Sequence, residues 1–247
     1  MRPLILALLL LPSLAFAQQQ YDPMLVPFDS ATVETPGARW HADLWVRNGT
    51  DHDVNLFPER CHSIVGEIPC TTKIIVPARR TIRLDVIEQF AGIYLYVPSH
   101  LKNDIHFSLR IRDLNRGADQ IGTEIPVVSL RSQMKKGKVT IINVPLLPNG
   151  KVDLRIYTDL PVGLYAVRLF AEPSGQLLSE RVYHQSGSTD PVIPPLVPLM
   201  VDASSIFRGW VADQVRVEIE SATSDLFWPL LTITNQRNNQ ITVVSPQ

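Results

Sequence analysis

The chain has 247 residues, 45% hydrophobic and 19% charged, a mix that suits a globular protein and excludes a disordered one. With 23 Lys+Arg against 24 Asp+Glu the formal charge is −1, which argues against a nucleic-acid binder, since phosphates call for a clear excess of Lys and Arg. Counts of 20 Pro, 12 Gly and 2 Cys exclude collagen, coiled coil and a disulfide-dense miniprotein.

Met1–Ala17 reads MRPLILALLLLPSLAFA, with Arg2 ahead of a leucine-rich stretch and Ala15-Phe16-Ala17 before Gln18. A short basic start, an apolar stretch and an A-x-A site predict a secretory signal peptide. The stretch is too short for a bilayer, which needs about 20 apolar residues, and Pro12 interrupts it. No second apolar run follows, so the mature protein is expected to have no membrane span and to be secreted or periplasmic. Cys61 and Cys70 are an even pair in an exported chain, which predicts a disulfide. The ring is worth about 2.7 kcal/mol in the chain-entropy model. Its spacing is not C-x-x-C, and His62 alone does not make a metal site.

Beyond the leader, apolar and polar residues alternate with period 2. Trp40, Ala42, Leu44 and Val46 fall on one face, and Arg39, His41, Asp43, Trp45 and Arg47 on the other. The same alternation places Ile82, Leu84 and Val86 together, then Ile105, Phe107, Leu109 and Ile111. Further along, Val152, Leu154 and Ile156 alternate with Asp153, Arg155 and Tyr157, and Val215, Val217 and Ile219 with Arg216, Glu218 and Glu220. Each run predicts a half-buried strand with one face in water. Asn48-Gly49, Pro77 to Arg80, Pro148-Asn149-Gly150 and Pro173-Ser174-Gly175 supply turns between them. Only Asp85–Ala91 reads as a short helical turn.

About 15 candidate strands exceed the seven to nine of one immunoglobulin-like sandwich. The expected fold is therefore all-β, with two tandem antiparallel sandwiches after the signal peptide. The polar, basic stretch Ser129–Lys138 is the expected junction, giving domains 18–130 and 131–247. The Pro-rich stretch Ser188–Leu199 reads as a crossing between sheets of the second domain. The run Trp40-His-Ala-Asp-Leu-Trp-Val-Arg-Asn, the Cys61/Cys70 loop, Gly92-Ile-Tyr-Leu-Tyr-Val-Pro98, Arg110-Ile-Arg-Asp113 and Leu231-Thr-Ile-Thr-Asn235 together resemble a group of exported bacterial all-β proteins of unassigned function. The resemblance covers most of the mature chain and implies an immunoglobulin-like fold and no chemistry.

Several residues have the right chemistry for a site. His41, His52 and His62, with Asp51 and Asp53, are zinc-type ligands, but their spacing matches no ligand motif, and Asp51-His52-Asp53 sits in an expected turn. No metal or cofactor is expected. The chain has no G-x-S-x-G, H-E-x-x-H, Walker or EF-hand pattern, so no catalytic residue is assigned and no enzyme is expected. The acid pairs Asp113/Asp119 and Glu218/Glu220 fit a glycosidase only if they leave the wet surface that such charges usually mark. The aromatic residues say more. Trp45 falls on the polar face between Asp43 and Arg47, where it can stack on a sugar ring or anchor a protein partner unless a loop or the other domain covers it. Tyr94 and Tyr96 admit the same two readings. Asn48-Gly49-Thr50 matches a glycosylation sequon. The sequence thus points to a secreted or periplasmic, non-catalytic protein with a binding or cell-surface structural role and a protein or glycan partner. A carbohydrate-binding module using exposed aromatics is the alternative, and a hydrolase with an unrecognised site comes third.

Overall fold

The computed structural model describes residues 21–27, 39–58, 73–84, 92–116, 122–158, 162–186, 198–212, 214–223 and 226–246. The expected signal peptide, Cys61, Cys70, the Asp85–Ala91 turn and most of the Pro-rich crossing lie outside them. Among the described residues the chain is predominantly β, with strands numbered here in chain order and arranged in four antiparallel sheets, none closed. The first sheet runs in the spatial order β4 (Ile74–Val76), β3 (Val54–Pro58), β6 (Ile93–Pro98), β1 (Tyr21–Val26), β9 (Val128–Ser129). The second runs β5 (Thr81–Leu84), β2 (Trp40–Asn48), β7 (Ile105–Asp113), β8 (Thr123–Ile125). The third is β10 (Lys138–Pro145), β15 (Gln214–Ser221), β12 (Val162–Ala171), β13 (Leu177–Ser186). The fourth is β14 (Leu199–Asp202), β11 (Gly150–Thr158), β16 (Phe227–Asn235), β17 (Gln240–Val244). Two four-residue helices, α1 (Leu130–Gln133) and α2 (Ser204–Phe207), interrupt the strands.

Strand β2 shows why these residues form sheets. Its partners run from Trp40 opposite Asp113 to Asn48 opposite Ile105 on β7, and from Leu44 opposite Leu84 to Arg47 opposite Thr81 on β5. Ala42, Leu44 and Val46 turn inward and are buried, as the alternation predicts. At the end of β2, the Asn48 side chain donates to the His52 and Val76 carbonyls and accepts from the Thr50 amide and hydroxyl. Asn48 is thus a buried turn-former, and the sequon Asn48-Gly49-Thr50 is not an exposed acceptor. Gly49 donates to the Asp104 carbonyl at 2.8 Å. A Cβ there would stand 2.9 Å from the same oxygen, so the close approach requires glycine.

The core divides into two apolar clusters. The first two sheets supply the first cluster, around Leu25, Leu44, Leu56, Leu95 and Leu109. The last two supply the second, around Ile141, Leu154, Val167, Val217 and Leu231. Strand β16 belongs to both. Phe227, Leu231 and Ile233 enter the second cluster, while Trp228 and Leu230 enter the first, joined there by Tyr157 and Ile241. The Tyr157 and Trp228 rings lie 6.0 Å apart at 41°. This corrects the half-wet reading of the Val152–Tyr157 strand, since Arg155 and Tyr157 are buried along with Leu154 and Ile156. Between the chain segments feeding the two clusters, Lys135 and Phe227 exchange backbone hydrogen bonds at 3.0 and 2.9 Å.

Candidate functional site

The outer face of the second sheet is built by the odd-numbered residues of β2. Trp45 stands between Arg83 of β5 and Ser108 of β7, Arg47 between Thr81 and His106, and Asp43 opposite Arg110. His41 pairs with Arg112, and Glu124 of β8 with Arg110. Four arginines (47, 83, 110 and 112) against two acids (Asp43 and Glu124) give this face a formal +2, on a chain whose total is −1.

Asp43 organises the arginines. Its carboxylate is nearly buried, with Arg112 Nε 2.7 Å from Oδ2 and Arg83 Nη2 3.1 Å from Oδ1. Arg83 Nη2 also donates to His41 Nε2 at 2.8 Å. A carboxylate buried at a sheet surface is tolerable only when it is paired in this way. The pairing also fixes two otherwise flexible guanidinium groups on this face, Arg83 directly opposite Trp45 and Arg112 further along, opposite His41. Trp45 itself is 42% exposed. The result is an apolar ring held open to solvent within a basic, pre-ordered surround. It can lie against the C–H face of a sugar while the guanidinium groups donate to hydroxyl or anionic oxygens.

The tyrosines are placed elsewhere. Both lie on the first sheet; Tyr94 is 6% exposed within the first cluster, and Tyr96 is half-buried against it, opposite Pro23 and Phe57. The expectation of a tyrosine pair presented to a partner is therefore corrected for Tyr94, because the ring that would make the contact is spent in the core. Neither tyrosine extends the Trp45 face.

The other candidates are tied up in local structure. His52 Nδ1 lies 3.1 Å from Asp51 Oδ1 at the surface, and that hydrogen bond holds the Asp51 carboxyl below its ordinary range. Among the described residues no three His, Cys, Asp or Glu side chains gather where they could hold a metal ion. Asp113 is buried and accepts from the amides of Arg39 and Asn115. Glu218 pairs with Lys138 at 3.3 Å and Arg216 at 3.4 Å, and Glu220 with Arg168 at 2.6 Å. Asp119 lies outside the described residues.

One feature escaped the sequence altogether. A cleft of about 420 Å³ opens where the ends of β2 and β7 meet the turn between β16 and β17. Its walls include Trp40, Arg112, Asp113, Arg116, Asn239 and Gln240. Thr123 donates to the Ile241 carbonyl at 3.1 Å beside it, tying β8 to β17. Segments remote in sequence make this cleft, so no local pattern announced it.

Comparison with known proteins gives no match: no family model fits the chain, and no curated protein or solved structure is significantly similar to it.

Proposed function

We propose that the chain is a secreted or periplasmic, non-catalytic protein of two tandem immunoglobulin-like sandwiches. It acts by binding, and the outer face of the second sheet is its recognition surface. The observation that carries this reading is Trp45, a large ring 42% exposed at the middle of a sheet face, with Arg83 opposite it held in place by Asp43. Isolated exposed hydrophobics need no explanation, but a tryptophan on a pre-organised charged face is the composition of a recognition surface. The basic surround favours the glycan reading over an apolar protein contact, because guanidinium groups meet hydroxyl and anionic oxygens well.

The test is a glycan array probed with the full chain and with Trp45→Ala. Binding that the substitution abolishes, with the unfolding midpoint unchanged, supports the reading; binding that survives it removes this face as the site. Export and the clamp have their own checks. N-terminal sequencing of protein recovered from the native host should begin at Gln18. Intact mass with and without reductant should differ by two hydrogens, and two free thiols in exported protein would remove the Cys61–Cys70 bridge.

A further inference from the structure

The cleft beside Trp40 is rich in donors and poor in acceptors. Trp40 Nε1 is buried and has no hydrogen-bond partner among the described residues. Arg112 forms an ion pair with Asp43, Nε lying 2.7 Å from Oδ2, and Arg116 directs Nε toward Asp113 at 3.5 Å. Among the described residues, the Nη groups of both arginines then have no acceptor. The exposed turn adds the side-chain amides of Asn239 and Gln240. Asp113 is the one acid of the described lining, and its carboxylate already accepts two backbone amides, at 2.9 and 3.0 Å. A buried N–H left without an acceptor carries its full desolvation penalty, so the site lacks what an acceptor-rich ligand would bring.

The rest of the wall is apolar, from the Trp40 ring, Ile111 and Ile241. A bare inorganic anion would leave that surface uncovered. At about 420 Å³, the cleft lies within the size range of small-ligand sites, roughly 300–1,000 Å³. We infer that it binds a carboxylated sugar, a hexuronate residue or a short hexuronate chain. The carboxylate lies between Arg112 and Arg116, the ring's C–H face lies on the apolar wall, and a sugar oxygen accepts from Trp40 Nε1. This site is separate from Trp45, although Arg112 borders both.

Titration calorimetry on the full chain tests the inference with a digalacturonate, a neutral galactose disaccharide and inorganic phosphate as probes. The digalacturonate should bind saturably, and the neutral sugar and phosphate about 10-fold or more weaker, because the neutral sugar loses the charge-assisted hydrogen-bond pair and phosphate loses the contact with the apolar wall. Arg116→Gln should weaken digalacturonate binding about 10-fold, and Trp40→Phe, which keeps a ring but loses the N–H, several-fold. Gln240→Ala, at the exposed first residue of β17, should weaken it a few-fold without touching the fold. Unfolding curves confirm that each variant is native. No saturable binding, or equal affinity for acidic and neutral sugars, would overturn the inference. So would binding that Arg116→Gln and Gln240→Ala leave unchanged. If Trp45→Ala abolishes sugar binding while Arg116→Gln does not, the sugar sits on the sheet face. The cleft assignment then fails and the Trp45 reading stands.

Discussion

Trp40 and Trp45 lie on one strand at positions of opposite parity, and parity decides what each does. Trp40 packs against the first cluster and lines the cleft, whereas Trp45 stands 42% exposed. Trp40→Ala should cost about 3 kcal/mol, as truncation of a large packed ring does. Trp45→Ala should cost about 0.5 kcal/mol or less, as surface substitutions do. Urea unfolding of the two variants measures both, and equal large losses would contradict the register. Asp153 gives a second residue-level expectation. Burial raises its carboxyl above the ordinary value of 3.8, against the opposing pull of Lys151 at 3.3 Å. The folded state therefore holds that proton more tightly than the unfolded chain does. The group's contribution is fully present below the unfolded value and is lost as pH rises through the raised one. Asp153→Asn removes this dependence. The variant should compare best with the wild type at pH 7, and its relative stability should fall as pH drops toward 4. Stability curves at both values check the sign. Strand parity made the outward turn of Trp45 legible in the sequence. The burial of Asp43 was not legible, because its partners Arg83 and Arg112 come from two other strands whose register no local pattern announces.

At the scale of elements, the alternation finds strands well where one face is wet, as in β2, β7 and β15. It fails where both faces are covered. Strand β16 reads FWPLLTITN, and every residue but Asn235 is buried, so a period-2 pattern has no polar face to mark. Strand β11 alternates at its start and is buried throughout from Leu154 to Thr158, because its C-terminal half is covered on both faces: Leu154 and Ile156 enter the second cluster and Tyr157 the first. Trp228→Ala should therefore cost about 3–5 kcal/mol, like a core truncation. A double-mutant cycle with Tyr157→Ala should show a coupling of about 0.5–1.5 kcal/mol, the range for an aromatic pair in contact. Additive losses would mean that the two rings do not act together.

At the scale of the whole molecule, composition and alternation made the all-β class plain. The way the two clusters meet was not legible, since it depends on which face of β16 and β17 is covered and by what. The first cluster contains Tyr157, Trp228, Leu230 and Ile241, all from strands of the fourth sheet. Unfolding the second cluster removes these side chains from the first, so thermal unfolding should be one cooperative transition, coincident by near- and far-UV circular dichroism. Two separated transitions would show that the clusters are energetically independent. The function proposed for the molecule rests on a face that this core holds rigid, with the indole of Trp45 at its centre. The most direct test is fluorine NMR of the full chain labelled with 5-fluorotryptophan. Its four resonances are assigned by single Trp→Phe substitutions, and the sample is titrated with the glycan that binds most strongly on the array. The account predicts that the Trp45 resonance shifts in proportion to occupancy while that of buried Trp228 stays in place. A glycan that saturates the protein while the Trp45 resonance does not move would contradict it.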